Sequence, residues 1–134
     1  MARLLLWGAP LNALGKHLLI ELYDCSPGAL DSLETVTATM VEAANAVSAT
    51  IINVAEHKFQ PLGVSVVVMI AESHLSIHTW PEHGYAAVDL FTCSDTMSPS
   101  VVVDLIRDAF DSKRVTTMEV HRGIIAPVLT GSSA

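Results

Sequence analysis

The densest group of reactive side chains in this chain is one seven-residue run, Glu72-Ser73-His74-Leu75-Ser76-Ile77-His78, set in an otherwise apolar sequence. It follows a β-branched stretch and precedes Trp80-Pro81-Glu82-His83-Gly84, with Cys93 further on. A serine beside a histidine suggests a nucleophile and its base, here Ser73 or Ser76 with His78. No G-x-S-x-G elbow accompanies them, and no acid stands at a matching place. The histidines raise the question of a metal. His74 and His78 are four apart on what reads as a strand, where four residues span roughly 13 Å, too far for one ion. His83 from the turn would leave the set loose, so no metal site is expected. Any one of these residues alone would be an ordinary solvated polar group. A whole cluster between buried strands needs partners. Cys93 taken alone is more often a small core residue than a catalyst.

The elements that position this run can be read from periodicity. Lys16 to Tyr23 is short and rich in Leu and Ile, as suits a buried strand. Asp24-Cys25-Ser26-Pro27-Gly28 reads as a turn and helix entry, with Asp24 or Ser26 as the N-cap. Apolar residues then recur at three- and four-residue steps, which predicts an amphipathic helix over 29–46. Strands are expected over 50–55, 64–71, 74–79, 85–92 and 115–120. The 74–79 strand would put His74, Ser76 and His78 on one face and Leu75, Ile77 and Thr79 on the other. Ser98-Pro99 opens a second helix with Val102, Leu105, Ile106 and Ala109 on one side. The order β-α-β-β-β-β-α-β predicts an α+β fold, a two-layer sandwich whose antiparallel-rich sheet carries two helices on one face. The other face must meet water or a second copy.

Composition bounds the function. The chain has 134 residues, which suits one domain spanning 1–134. It is 51% hydrophobic and only 16% charged, so it should fold and bury much of its surface. With 7 Lys and Arg, scattered, against 14 Asp and Glu, nucleic acid is not an expected partner. The apolar stretch from Leu4 to Trp7 is too short for a signal segment, and no apolar run reaches membrane-spanning length. Two cysteines, Cys25 and Cys93, without a C-x-x-C spacing, fit free thiols in a reducing cytoplasm.

The run from Ala71 to Cys93, AESHLSIHTWPEHGYAAVDLFTC, closely resembles the signature of S-adenosylmethionine decarboxylases of the short bacterial and archaeal class. The likeness continues upstream through Gly15-Lys16-His17-Leu18-Leu19, Glu21-Leu22-Tyr23-Asp24-Cys25 and Pro61-Leu62-Gly63-Val64-Ser65. Downstream it reaches Lys113-Arg114-Val115 and His121-Arg122-Gly123. The resemblance implies a proenzyme that cuts itself between Glu72 and Ser73, giving a 1–72 and a 73–134 chain. The Ser73 hydroxyl would attack the preceding carbonyl to give an ester. β-Elimination to dehydroalanine and hydrolysis would leave a pyruvoyl cofactor on the new chain. The family assigns Ser65 and His78 to this processing, with His78 moving the α-proton. A pyruvoyl group forms a Schiff base with the substrate amine and accepts electrons as CO₂ leaves. Cys93 would return a proton to the substrate carbon, Glu82 would accept from the ribose hydroxyls, and Phe59 would stack on adenine. Phe59 could equally be an ordinary core residue. Members of the family are homodimers joined through their exposed sheet faces.

Two positions depart from the family pattern. Ser94 stands where glycine is usual, which matters if that glycine needs a positive φ, and His83 stands where relatives commonly carry Tyr. The implied function is decarboxylation of S-adenosylmethionine to the aminopropyl donor of spermidine and polyamine biosynthesis. The same cofactor could instead serve L-arginine or L-ornithine. An unprocessed, non-catalytic homologue is the alternative of another class.

Overall fold

The computed structural model describes residues 13–125, so the readings made on the first dozen residues and on the final stretch lie outside the described residues. Six strands form one sheet: β1 Ala13–Tyr23, β2 Ile51–Lys58, β3 Val64–Ile70, β4 Ser73–Trp80, β5 Tyr85–Thr92 and β6 Arg114–Ile124. Their spatial order is β2-β3-β4-β5-β1-β6, and every neighbouring pair is antiparallel. The helices are α1 Pro27–Leu30, α2 Leu33–Ala46 and α3 Pro99–Ala109. The α+β sandwich expected from the sequence is the fold.

Alternation decides which face is covered. Along β3, Val64, Val66, Val68 and Ile70 are buried while the residues between them are not. With Leu75 and Ile77 of β4, Val88 and Leu90 of β5 and Ile20 and Leu22 of β1, they make the sheet's half of the core. Val36, Met40, Ala43 and Ala44 of α2 and Val102 and Ile106 of α3, with Phe110 just beyond it, supply the other half. Burying a side chain of this size contributes about 1.5–3 kcal/mol, so these two stripes fix the helices on one face.

The helix expected over 29–46 is split. The Ser26 hydroxyl accepts from Ala29 N–H and starts α1, with Pro27 in its first turn. Ser32 then accepts from Thr35 N–H at 3.1 Å and begins α2 as a second N-cap. Between them Asp31 leaves the helical path to bind the Gly63 amide at 2.9 Å and Lys58 Nζ at 3.0 Å. Tertiary partners for one carboxylate thus override a periodicity that runs straight through it. The outer strands β2 and β6 also run several residues past their expected ends.

The face away from the helices is unlike a solvated one. Leu19, Val67, Met69 and Met118 lie on it at 37–62% exposure. A sheet face turned to water is ordinarily polar, so this surface has the character of a contact surface. Among the described residues no helix is long and apolar enough to cross a membrane.

Candidate active site

The β3–β4 pairing sets the geometry around Ser73. Ile70 lies opposite Ser73, so only Ala71 and Glu72 remain to make the turn. Glu72 has φ +63°, in the left-handed region that costs a residue with a Cβ roughly 1–2 kcal/mol. Its carbonyl is the acyl group of the 72–73 bond, and it accepts a hydrogen bond from Cys93 Sγ at 3.4 Å. Cys93 arrives because β5 pairs with β4, His74 facing Phe91 two residues before it. The Cys93 amide in turn donates to Ser73 Oγ at 3.3 Å. Cys93 is exposed, whereas Cys25 is the buried cysteine. The thiol therefore lies at a surface cleft, which Val47, Ala49, Ile70 and Met97 wall with apolar groups. Ser94 is not among the residues with positive φ, and its amide donates to Thr92 Oγ1 at 2.9 Å. The substitution for glycine thus introduces no left-handed strain.

Ser65, His78, Phe59 and Glu82 form a second group. Ser65 and His78 are directly opposite on β3 and β4, and Ser65 Oγ lies 2.7 Å from His78 Nδ1. Phe59, between β2 and β3, is 45% exposed and so is not a core residue. Its ring stands edge-on to His57 at 4.5 Å between centroids. Glu82 sits in the 3-10 turn Pro81–His83, which closes at Gly84 with φ +58°. A Cβ on Gly84 would come within 3.3 Å of the Cys25 carbonyl oxygen, so the sharp return into β5 needs glycine. Phe59, Leu62, Ser65, His78, Trp80 and Glu82 line one cleft.

The two groups do not meet within one chain. Ser73 and His78 are five residues apart on one strand, with an odd spacing. At about 3.3 Å per residue that separates them by about 16 Å, and the odd spacing sends their side chains to opposite faces. Ser73 shares its side of β4 with buried Leu75 and Ile77, while His78 shares its side with His74 and Ser76.

Comparison with known proteins decides what these groups belong to. Residues 16–123 match the family model described as S-adenosylmethionine decarboxylase. A proenzyme of that name from Thermodesulfovibrio yellowstonii is 54% identical over 85% of this chain and 84% of its own length. Another from Pseudomonas aeruginosa is 48% identical over 86% of this chain and 72% of its own. The crystal structure of the adenosylmethionine decarboxylase from Aquifex aeolicus superposes with a TM-score of 0.79 at 36% identity, covering 86% of this chain and 95% of that one. The chain belongs to the S-adenosylmethionine decarboxylase family.

This decarboxylase also carries a polar network that the sequence reading missed. His17 Nε2 lies 2.6 Å and His74 Nε2 2.9 Å from the same oxygen, Asp89 Oδ2, and the Ser76 hydroxyl donates to Oδ1. Burial pushes the Asp89 carboxyl up, but the hydrogen bonds from Ser76, His17 and His74 outweigh it and hold the group below the usual carboxylate range. Nearby, the Tyr85 hydroxyl donates to Glu21, and burial and that carboxylate push its pKa up to about 12. The available signal was alternation: His17, Asp89 and His74 all fall on the uncovered face, and His17 and Asp89 are polar interruptions in apolar-rich strands.

Proposed function

We propose that the mature enzyme is a dimer in which each active site takes Ser73, Glu72 and Cys93 from one copy and Ser65, His78, Phe59 and Glu82 from the other. The single observation that carries this reading is the separation of Ser73 from His78 along β4 and across the sheet. A base must reach the proton it removes to within about 3 Å, or through one water. Within one chain His78 is too far from the Ser73 α-carbon and points the wrong way. Two open sheet faces laid together would bring the second copy's β4 over the first, and the apolar residues on that face favour such a contact.

The activity follows from the family: pyruvoyl-dependent decarboxylation of S-adenosylmethionine to the aminopropyl donor of polyamine biosynthesis. Membership at this identity favours that substrate over arginine or ornithine, and it favours an active enzyme over an unprocessed homologue. An acidic residue beside an exposed aromatic suits a ribose and an adenine, which a simple amino acid lacks.

Processing draws on the turn geometry. The Ser73 hydroxyl adds to the Glu72 carbonyl, whose oxygen is already hydrogen-bonded by Cys93, so negative charge developing there meets a donor. Collapse breaks the C–N bond, leaving Glu72 as an ester on Ser73 Oγ and the Ser73 nitrogen as an amine. His78 of the second copy then takes the α-proton and the Glu72 carboxylate leaves. Addition of water and loss of ammonia convert the resulting enamine to the ketone that caps residues 73–134. The residues present fit that group, because Ser73 carries a hydroxyl that can attack the Glu72 carbonyl and leave with it as a carboxylate, at a turn where Cys93 contacts both. The finished carbonyl supplies an electron sink for loss of CO₂ from an α-amino acid. Cys93, next to the Glu72–Ser73 bond, would return the proton to the substrate carbon, while Phe59 and Glu82, in one cleft, would stack the base and accept from the sugar hydroxyls. The cytoplasm suits this assignment, since Cys93 must stay reduced.

Intact mass measurement with and without borohydride tests the reading. It should find two chains, 1–72 and 73–134, the second gaining two hydrogens on reduction. One uncut chain, or a free amino group at position 73, would overturn it.

A further inference from the structure

Three side chains that the chemistry above does not use converge on the sheet face left open by the helices. His17 is on β1, His74 on β4 and Asp89 on β5, three neighbouring strands. Both imidazole Nε2 atoms point at one oxygen, Asp89 Oδ2, at 2.6 and 2.9 Å. The three donor atoms all lie within 4.8 Å of one another. Ser76 holds the other carboxylate oxygen, which fixes the plane of the carboxylate. The ring of Phe91 packs against both imidazoles, with centroids 5.5 and 5.9 Å away, and limits their swing.

We propose that His17 Nε2, His74 Nε2 and Asp89 Oδ2 form a binding site for a divalent first-row transition metal of the zinc kind, with the remaining position left to water. Two imidazoles and one carboxylate suit such ions. They do not suit Mg²⁺ or Ca²⁺, which take mainly oxygen ligands. Bonds of about 2.0–2.1 Å in a tetrahedral arrangement put ligand atoms about 3.3 Å apart. The two N···O separations must therefore open by about half an ångström and the two nitrogens must draw together, which side-chain rotation can supply. The charge also fits. Asp89 supplies one anionic ligand beside two imidazole ligands, a donor set suited to a dication. Each imidazole now donates from Nε2 to the carboxylate. Bound to a metal, each imidazole would turn the lone pair of Nε2 to the ion and carry its ring proton on Nδ1. The sequence-level objection to a metal concerned His74 with His78. The structure pairs His74 instead with a histidine 57 positions earlier in the chain. The cluster lies on the face that the dimer proposed above would cover, while Ser73 projects to the other side of β4, so metal binding and self-cleavage can be read separately.

The test uses the full-length protein, stripped with a chelator and titrated with Zn²⁺ by calorimetry and with Co²⁺ by visible absorption. Cys93→Ser is included because an exposed thiol is a competing ligand. One equivalent should bind in wild type and in Cys93→Ser, with a Co²⁺ spectrum lacking thiolate charge-transfer bands. Zn²⁺ at about a hundredfold excess over its Kd should raise Tm by roughly 5–10 °C. His17→Gln and Asp89→Asn, chosen to keep side-chain volume, should each weaken binding more than tenfold and abolish the Tm rise. Ser76→Ala, which frees the carboxylate to rotate, should weaken binding by about tenfold. His57→Gln, away from the cluster, should leave it unchanged. No Zn²⁺ uptake by wild type, uptake untouched by His17→Gln and Asp89→Asn, or uptake lost only with Cys93→Ser would each overturn the assignment.

Discussion

Co-expression of two dead variants would test whether each active site is shared between two copies. Ser73→Ala removes the attacking hydroxyl, and His78→Ala removes the group assigned to the α-proton. Alone, neither chain should mature. In a hybrid dimer one site combines Ser73 from the His78→Ala chain with His78 from the Ser73→Ala chain and is complete; the other lacks both. Random pairing of equal amounts makes about half the dimers hybrid, so about half of the His78→Ala chains should be cut and about a quarter of the wild-type sites should be active. The structural basis is a distance of about 16 Å along β4 together with the change of face. No side-chain rotation closes such a gap. The assay is denaturing gel and mass analysis of the mixture, with the two chains distinguished by a mass tag, followed by CO₂ release. If His78→Ala chains stay whole in the mixture while wild type is cut, the shared-site reasoning fails. It fails equally if His78→Ala matures unaided at the wild-type rate.

Other expectations follow from single contacts. Cys93→Ala removes the donor to the Glu72 carbonyl and should cut about fivefold more slowly, since one such hydrogen bond is worth about 1 kcal/mol. The same variant, once cut, should decarboxylate some 10²–10⁴-fold more slowly, measured as CO₂ release per reducible carbonyl. Thr79→Val leaves two buried backbone groups without partners, because Thr79 Oγ1 accepts from Val64 N–H at 2.9 Å and donates to the Leu30 carbonyl at 2.8 Å. Denaturant unfolding should find a loss of about 1–3 kcal/mol. Asp89 gives a pH dependence whose sign is fixed. Its folded carboxyl titrates below the ordinary value of 3.8, so the ionised form stabilises the fold. That stabilisation is whole above the ordinary value and fades as pH falls through the folded one. Tm measured from pH 7 down to 3 should drop less steeply at the acid end in Asp89→Asn than in wild type.

Much of the fold was legible because alternation and helical periodicity both carry through burial. Val64, Val66, Val68 and Ile70 alternate with exposed residues, and the same two-residue period in β4 and β5 gave a sheet with one covered face. The break between α1 and α2 was not legible, because its cause is a long-range one. Asp31 sits within a run of helical spacing, and only the arrival of Gly63 and Lys58, about thirty positions away in sequence, draws it out.

The family resemblance supplied candidate site residues one by one but not their arrangement. The family pattern names Ser73, His78, Ser65, Cys93, Glu82 and Phe59 without saying which of them share a cavity. Yet the deciding feature lay within one strand. Ser73 and His78 differ by an odd number, and in a strand an odd difference means opposite faces. The same parity places His74 and Ser76 with His78 on the open side, where they meet Asp89 and, through it, His17. A short chain that must both cut its own backbone and hold a nucleoside thus divides the work between the two ends of β4. One end lies in a turn where a strained carbonyl meets a thiol. The other lies where a serine–histidine pair, an aromatic ring and a carboxylate share a cleft. On the shared-site proposal each end needs the other from a second copy, and the exposed apolar residues Leu19, Val67, Met69 and Met118 are the part of the molecule suited to that contact. Charging that surface should therefore disable the enzyme without touching any reacting residue. Met69→Glu, 50% exposed on β3, should keep the protomer folded by circular dichroism, hold it as a monomer by light scattering and leave the 72–73 bond intact. A monomeric Met69→Glu chain that still matured at the normal rate would show one copy to be sufficient.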